Sequence, residues 1–224
     1  MKLTPTSLTI LKNFASINSG MEFRQGNIQA TISPLQQVLA VAELEDTFPE
    51  TFCVHDMDQF LSIFALFKEP DLEFGDNNVY FKDERSTITY RMCERDMIIP
   101  TDVLEINKGL ADVKFSLTAV ELAWIVKTSH VLSSPNISVE SDGQTVQMVT
   151  FNAEDNSVST NKFQLDVNGT GSKYKIVFKT EHFSMIPGDY DVEINFKGYA
   201  HFKNKNINLQ YWIAFEEEES KIGD

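Results

Sequence analysis

Thr6-Ser-Leu-Thr-Ile-Leu-Lys-Asn-Phe-Ala-Ser16 reads as one amphipathic helix. At about 100° per residue, Leu8, Ile10, Leu11, Phe14 and Ala15 share one face, and Thr9, Lys12, Asn13 and Ser16 share the other. The polar face carries no acid. Residues 1–21 as a whole hold two lysines, Lys2 and Lys12, and no Asp or Glu, in a chain of 33 acids against 19 Lys and Arg. Such a face repels no polyanion. A solvated face that merely happens to lack acids accounts for this one helix equally well.

The same order of elements then runs twice. After the first helix, strands are expected at 21–24, 27–33, 38–44 and 50–54. A second helix follows over 56–67, with Asp56 as its N-cap. Phe60, Ile63, Phe64 and Phe67 fall on its inner side, and strands return at 71–74, 79–82 and 86–92. In the second half a helix over 116–132 ends at Ser133-Ser-Pro135. Strands at 137–140, 145–151, 162–167 and 174–179 lead to a short helix over 180–186, stopped by Pro187-Gly188. Strands at 190–196, 200–203 and 207–215 complete the set. Thr51–Phe60 and Tyr174–Phe183 match as frames: a strand, a polar helix start, then Phe. Residues 93–114 carry little periodicity and include Pro100 and Gly109, as a connector would. The expectation is an α+β protein of two repeated domains, 1–107 and 108–224, although a generic two-sheet β protein could give a similar string.

Composition narrows the function. A hydrophobic content of 42% and 17 Phe support a buried core. No apolar run nears the roughly 20 residues needed to cross a bilayer, and the N-terminus is not expected to be a signal peptide. Cys53 and Cys93 are the only cysteines and lack metal spacing, so free thiols in a reducing compartment are expected. A net charge of −14 argues against gripping nucleic acid with the whole surface, but leaves room for a local patch.

Catalytic signatures are missing. The sequence has no Gly-rich phosphate loop, Gly-x-Ser-x-Gly or His-Glu-x-x-His. The histidines, His55, His130, His182 and His201, are scattered. Asp56 and Asp58 stand where a helix N-terminus favours acids, and acid–base work by them would need a cleft. No cofactor or metal is implied, and residues 216–219, a run of Glu, read as a solvated tail.

Four collinear segments carry a resemblance. Leu11-Lys-Asn-Phe-Ala-Ser-Ile-Asn-Ser-Gly20, Asp56-Met-Asp-Gln-Phe-Leu-Ser-Ile63, Arg85-Ser-Thr-Ile88 and Met185-Ile-Pro-Gly-Asp-Tyr190 resemble, in order, segments of the DNA polymerase sliding clamps of T4-type tailed phages. The resemblance implies a homotrimeric ring of clamp domains, with helices lining the hole and antiparallel sheets outside. It implies a processivity factor that encircles duplex DNA in the cytoplasm of an infected bacterium. The partners it implies are the replicative polymerase, an ATP-dependent clamp loader and, in some phages, late-transcription factors.

Site residues follow from that resemblance. Lys2, Thr9, Lys12, Asn13, Ser16, Lys127 and His130 would face DNA. Phe64, Phe67, Tyr90, Asn161 and Lys162 would meet a neighbouring subunit, the 86–92 strand and second helix meeting a 158–165 strand. Ile98, Ile99, Val103 and Leu104, with Tyr211 or Trp212, would form a pocket for partner peptides, though plain core packing explains them as well. Relative to the family this chain is poor in lining charge: Pro5, His130 and Ser184 stand where more basic residues are usual. A virion or baseplate β protein, also acidic and trimeric, is the competing reading, and a glycan-binding or hydrolytic domain a distant third.

Overall fold

The computed structural model describes residues 1–106, 109–154, 161–167, 169 and 172–223 of the 224. Two compact units divide the chain, Met1–Glu105 and Ile106–Asp224. The expected 107/108 boundary falls on residues outside the described set.

In the first unit α1 (Pro5–Ile17) exceeds the expected helix by one residue at each end. Thr4 is its N-cap and Pro5 occupies the first turn, where a missing N–H costs nothing. β1 (Met21–Phe23), β2 (Gly26–Ile32), β3 (Val38–Phe48) and β4 (Phe52–Val54) lead to α2 (Met57–Phe64). β5 (Asp71–Gly75), β6 (Asn78–Lys82) and β7 (Thr87–Arg91) then form a three-stranded antiparallel sheet. β1 pairs with β4, and β2 pairs with β3. β3 runs four residues beyond its expected end. Its alternation continues through charge, with Leu44 and Phe48 buried while Glu43, Glu45 and Thr47 are exposed.

α1 lays Ile10, Leu11, Phe14 and Ala15 against β2 and β3, beside α2. Asp56 caps α2, accepting from the Gln59 N–H at 2.8 Å. The core of this unit is aromatic. Phe60 is fully buried, with ring centroids 5.5 Å from Phe23, 5.2 Å from Phe81 and 5.2 Å from Tyr90.

The second unit opens with a strand, not a helix. β8 (Val113–Leu117) buries Val113, Phe115 and Leu117 and exposes Lys114 and Ser116, a period-two pattern. The helix expected from residue 116 therefore begins later, as α3 (Ala119–Val131), behind a capping box of Thr118 and Glu121. β9 (Asn136–Asp142), β10 (Val146–Phe151), β11 (Phe163–Val167) and β12 (Lys173–Lys179) follow. β13 (Tyr190–Asn195), β14 (Tyr199–Asn204), β15 (Leu209–Ala214) and β16 (Lys221–Ile222) complete the unit. One antiparallel sheet has the order β11-β10-β9-β12-β16, and β8, β13, β14 and β15 are neighbours in a second.

Two further expectations change. The helix expected over 180–186 is a single 3₁₀ turn, Thr180–Phe183. Pro187 disfavours a helical Ile186, and β12 runs to Lys179, so too few residues remain for a longer helix. The run 216–219 is not a free tail. Glu216 N–H donates to Val177 O at 2.7 Å, the Ser220 N–H closes a turn on Glu216 O, and β16 then pairs with β12.

His182, in the 3₁₀ turn, has a nearly buried side chain whose Nδ1 lacks a hydrogen-bond partner. Burial pushes its pKa below the usual 6.5, opposed by the Glu181 carboxylate. The unfolded chain thus binds this proton more readily, and stability should fall as pH drops from about 6.5 through the folded-state pKa. The loss should vanish in His182→Gln. Urea denaturation from pH 7.5 to 5.5 would read it; equal slopes in both proteins would refute it.

Candidate nucleic-acid interface

The exposed arc of α1 is built from its two ends. At the start, Asp46 of β3 accepts from the Thr4 N–H at 2.7 Å and from the Thr4 hydroxyl at 3.1 Å. The acid that complements this helix start thus comes from the sheet, and the first turn of α1 contains none. Thr9, Lys12 and Ser16 are exposed together, and Asn13 is half-buried beside them. Thr9 Oγ1 donates to Pro5 O at 2.9 Å, and Ser16 Oγ donates to Asn13 O at 2.7 Å. Among the described residues no carboxylate pairs with Lys12. Lys2 differs: its Nζ lies 3.3 Å from Glu69 Oε2, so its charge is partly neutralised.

α3 presents an acid-free exposed arc of another composition. Leu122, Ile125 and Ser129 are buried, while Ala123, Lys127 and His130 are exposed. Leu132, expected among the buried set, is half-buried at the C-cap. The arc also carries Val120 (76% exposed), Trp124 (54%) and Val131 (74%). None of these three is among the residues expected to face DNA. With Lys127 they fall at i, i+4, i+7 and i+11, one line along the helix. Trp124 leans on Phe163 of β11, ring centroids 5.0 Å apart. Across the arc, Lys127 and His130 join Leu122, Val126, Phe183, Met185 and Pro187 around a groove of about 400 Å³.

The residues expected at a subunit contact separate into two groups. Phe64 and Tyr90, expected at the contact with a neighbouring subunit, are buried within their own unit. Phe64 sits four residues after Phe60 on the inner stripe of α2, and Tyr90 points inward from β7, its hydroxyl donating to Asp56 O at 3.2 Å. Phe67 is half-buried, and Asn161 and Lys162 are exposed. Val158, Ser159 and Thr160 lie outside the described residues. Leu66, 73% exposed just after α2, went unnoticed in the sequence. β7 and β11 each end their sheet in the strand order.

The residues expected to form a partner pocket are likewise divided. Ile99, Val103 and Leu104 are exposed, and Ile98 is half-buried against Gly20, where a Cβ would come within 2.7 Å of its Cγ2. Tyr211 and Trp212, expected beside that pocket, are buried, as core packing would place them. The Tyr211 hydroxyl accepts from Ile186 N–H at 3.2 Å, and Trp212 stacks on His201 with centroids 4.5 Å apart. Among the described residues no group of three or more His, Cys, Asp and Glu could hold a metal, and no helix is long and apolar enough to cross a membrane.

Comparison with known proteins gives concordant results. Residues 3–99 match the family described as DNA polymerase processivity factor. The sliding clamp of Vibrio phage KVP40 is 28% identical, over 96% of this chain and 99% of that protein. The sliding clamp of Enterobacteria phage T4 is 26% identical, over 96% and 97%. Among solved structures, the proliferating cellular nuclear antigen of Entamoeba histolytica superposes with a TM-score of 0.69, covering 96% of this chain and 97% of that one. At 12% identity it bears on the fold alone.

Proposed function

We propose that the chain, a relative of the sliding clamps of T4-type phages, acts as a DNA polymerase processivity factor and not as an enzyme, and that three copies close head to tail around duplex DNA. One observation carries the orientation. In a chain of net charge −14, the exposed arcs of both long helices hold no acid, and Lys12 and Lys127 stand on them. Lys12 with Thr9 and Ser16, and Lys127 with His130, turn toward the duplex, while Trp124 at the edge of the α3 arc turns toward β11 and the acidic remainder repels DNA from other approaches. A topological link needs no tight phosphate contact, and a low charge density suits a ring that must slide.

Closure uses the two sheet edges. β7 of one copy adds to β11 of the next, so neither is left as an open edge. Trp124, leaning on β11, lies on the junction side of α3, with Leu66 beyond α2 as an apolar counterpart. The proposed partners are the replicative polymerase and a clamp loader, with late-transcription factors as a further class. Ile99, Val103 and Leu104 are proposed as the apolar anchor site for their peptides. The protein works in the infected host cell. The relatives do not favour the virion reading.

Sedimentation across a range of concentrations should give a species near 76 kDa, three times the 25.5 kDa chain. Clamps loaded onto circular DNA should escape once it is linearised. A persistent monomer, or retention on the linear product, would overturn the ring. Trp124→Ala should weaken trimerisation by about tenfold, the scale of a modest interface anchor, without loss of fold. An unchanged dissociation midpoint would remove Trp124 from the junction.

A further inference from the structure

Cys53 of β4 and Cys93, two residues past β7, oppose each other as an isolated antiparallel bridge. The Cys93 N–H donates to Cys53 O at 3.0 Å, and both thiols are free. Directly opposed residues of an antiparallel pair project from the same face. When the pair is hydrogen-bonded their Cα atoms lie about 5.5 Å apart, inside the span a disulfide bridges. Glu22 opposes Cys53 from the other side, so Glu22, Cys53 and Cys93 stand in one row. Arg95 donates to Glu22 at 2.7 Å beside them. Cys53 is buried and Cys93 is half-buried, so a small reagent meets Cys93 first.

We infer that Cys53 and Cys93 form a reversible oxidation site for low-molecular-weight disulfides. The Cys93 thiolate attacks such a disulfide, forming a mixed disulfide and releasing one thiolate. The Cys53 thiolate then attacks Cys93 Sγ, forming the Cys53–Cys93 bond and expelling the second thiolate. Two electrons pass from the pair to the reagent, and the two cysteine protons end on the two released thiols. Burial raises both thiols above their ordinary pKa, Cys53 to about 11, so both are protonated at neutral pH and the exchange quickens as pH rises and the thiolate fraction grows. A hydrogen-bonded cross-strand pair must draw its Cβ atoms closer than the ladder sets them, which leaves the bond readily reduced. Once formed, it closes a covalent loop over residues 53–93 that contains α2 and the β5–β6–β7 sheet. The inference rests on the fold alone and stands whether or not the chain forms a ring.

The folded wild-type protein is incubated with oxidised glutathione, then analysed by intact mass, thiol titration and digestion without reductant. Both free thiols should disappear, with loss of two hydrogen masses, no retained glutathione and one peptide pair joined through Cys53 and Cys93. Dithiothreitol should restore both thiols. Cys53→Ser should instead keep a glutathione adduct on Cys93, because no resolving thiol remains. Wild-type protein that retains an adduct on Cys93, forms disulfide-linked dimers or keeps both thiols would overturn the assignment.

Discussion

Lys12→Glu combined with Lys127→Glu is expected to cut clamp-dependent DNA synthesis by tenfold or more while leaving the assembly intact. A unit charge about 7 Å from a phosphate gains roughly 0.6 kcal/mol in water, and reversing its sign doubles the change. Physiological salt removes somewhat over half of that. Summed over two positions in three proposed copies, the penalty is still a few kcal/mol, beyond the 1.4 kcal/mol or so that a tenfold effect needs. Neither lysine has an ion pair to lose among the described residues, so the fold should tolerate the change. Primer extension on singly primed circles at two salt concentrations reads the effect, and sedimentation checks the assembly. Undiminished synthesis would remove both helices from the DNA-facing side.

The largest stability effect should come from Phe60→Ala. Phe60 has no exposed surface and touches the rings of Phe23, Phe52, Phe64, Phe81 and Tyr90, so truncation empties the centre of the first unit. Large-to-small changes of this kind cost about 3–5 kcal/mol, against domain stabilities of about 5–15 kcal/mol. The surrounding rings are held by two β layers and α2, and so have little freedom to collapse into the void. Urea denaturation followed by hydrogen exchange should place the loss in α2 and β5–β7, with α3 and β9–β12 protected as before. Phe60→Leu should recover more than half, because it restores most of the volume. A cost below about 1 kcal/mol for Phe60→Ala would mean that the aromatic cluster is not the core of this unit.

Much of this was legible in the chain. α1 could be read almost to the residue because its apolar spacing and its polar face agree; Pro5, in the first turn, lies one residue before the expected start. Asp56 marked the start of α2 for the same reason, that cap and pattern coincide. β8 was not read from the chain: Val113, Phe115 and Leu117 alternate with polar residues, but the run is split between an aperiodic connector and a helix start placed at Ser116, two residues before the Thr118 cap. β16 left no trace, since two exposed residues have no periodicity and their place is set by the edge of β12.

The candidate site was less legible. Phe64 and Tyr90 have the composition of interface anchors, and nothing local separates an anchor from a core ring. Val120, Trp124 and Val131 failed in the opposite direction. Residues of these types are usually inside, and only the placement of α3 against β10 and β11 determines which side remains exposed.

Thr9 and Ser16 donate their hydroxyl protons back into α1, and this has a mechanical consequence in the proposed ring. A hydroxyl so engaged offers a passing phosphate only lone pairs, with no donor to catch it. Each potential foothold would have been a small well repeated at every nucleotide step, and the depth of such wells sets the roughness a ring must cross as it advances. With those protons turned inward, that landscape would be smoother in the proposed ring. In the proposed ring, friction along DNA would then be set by the orientation of side-chain protons as well as by scarcity of charge.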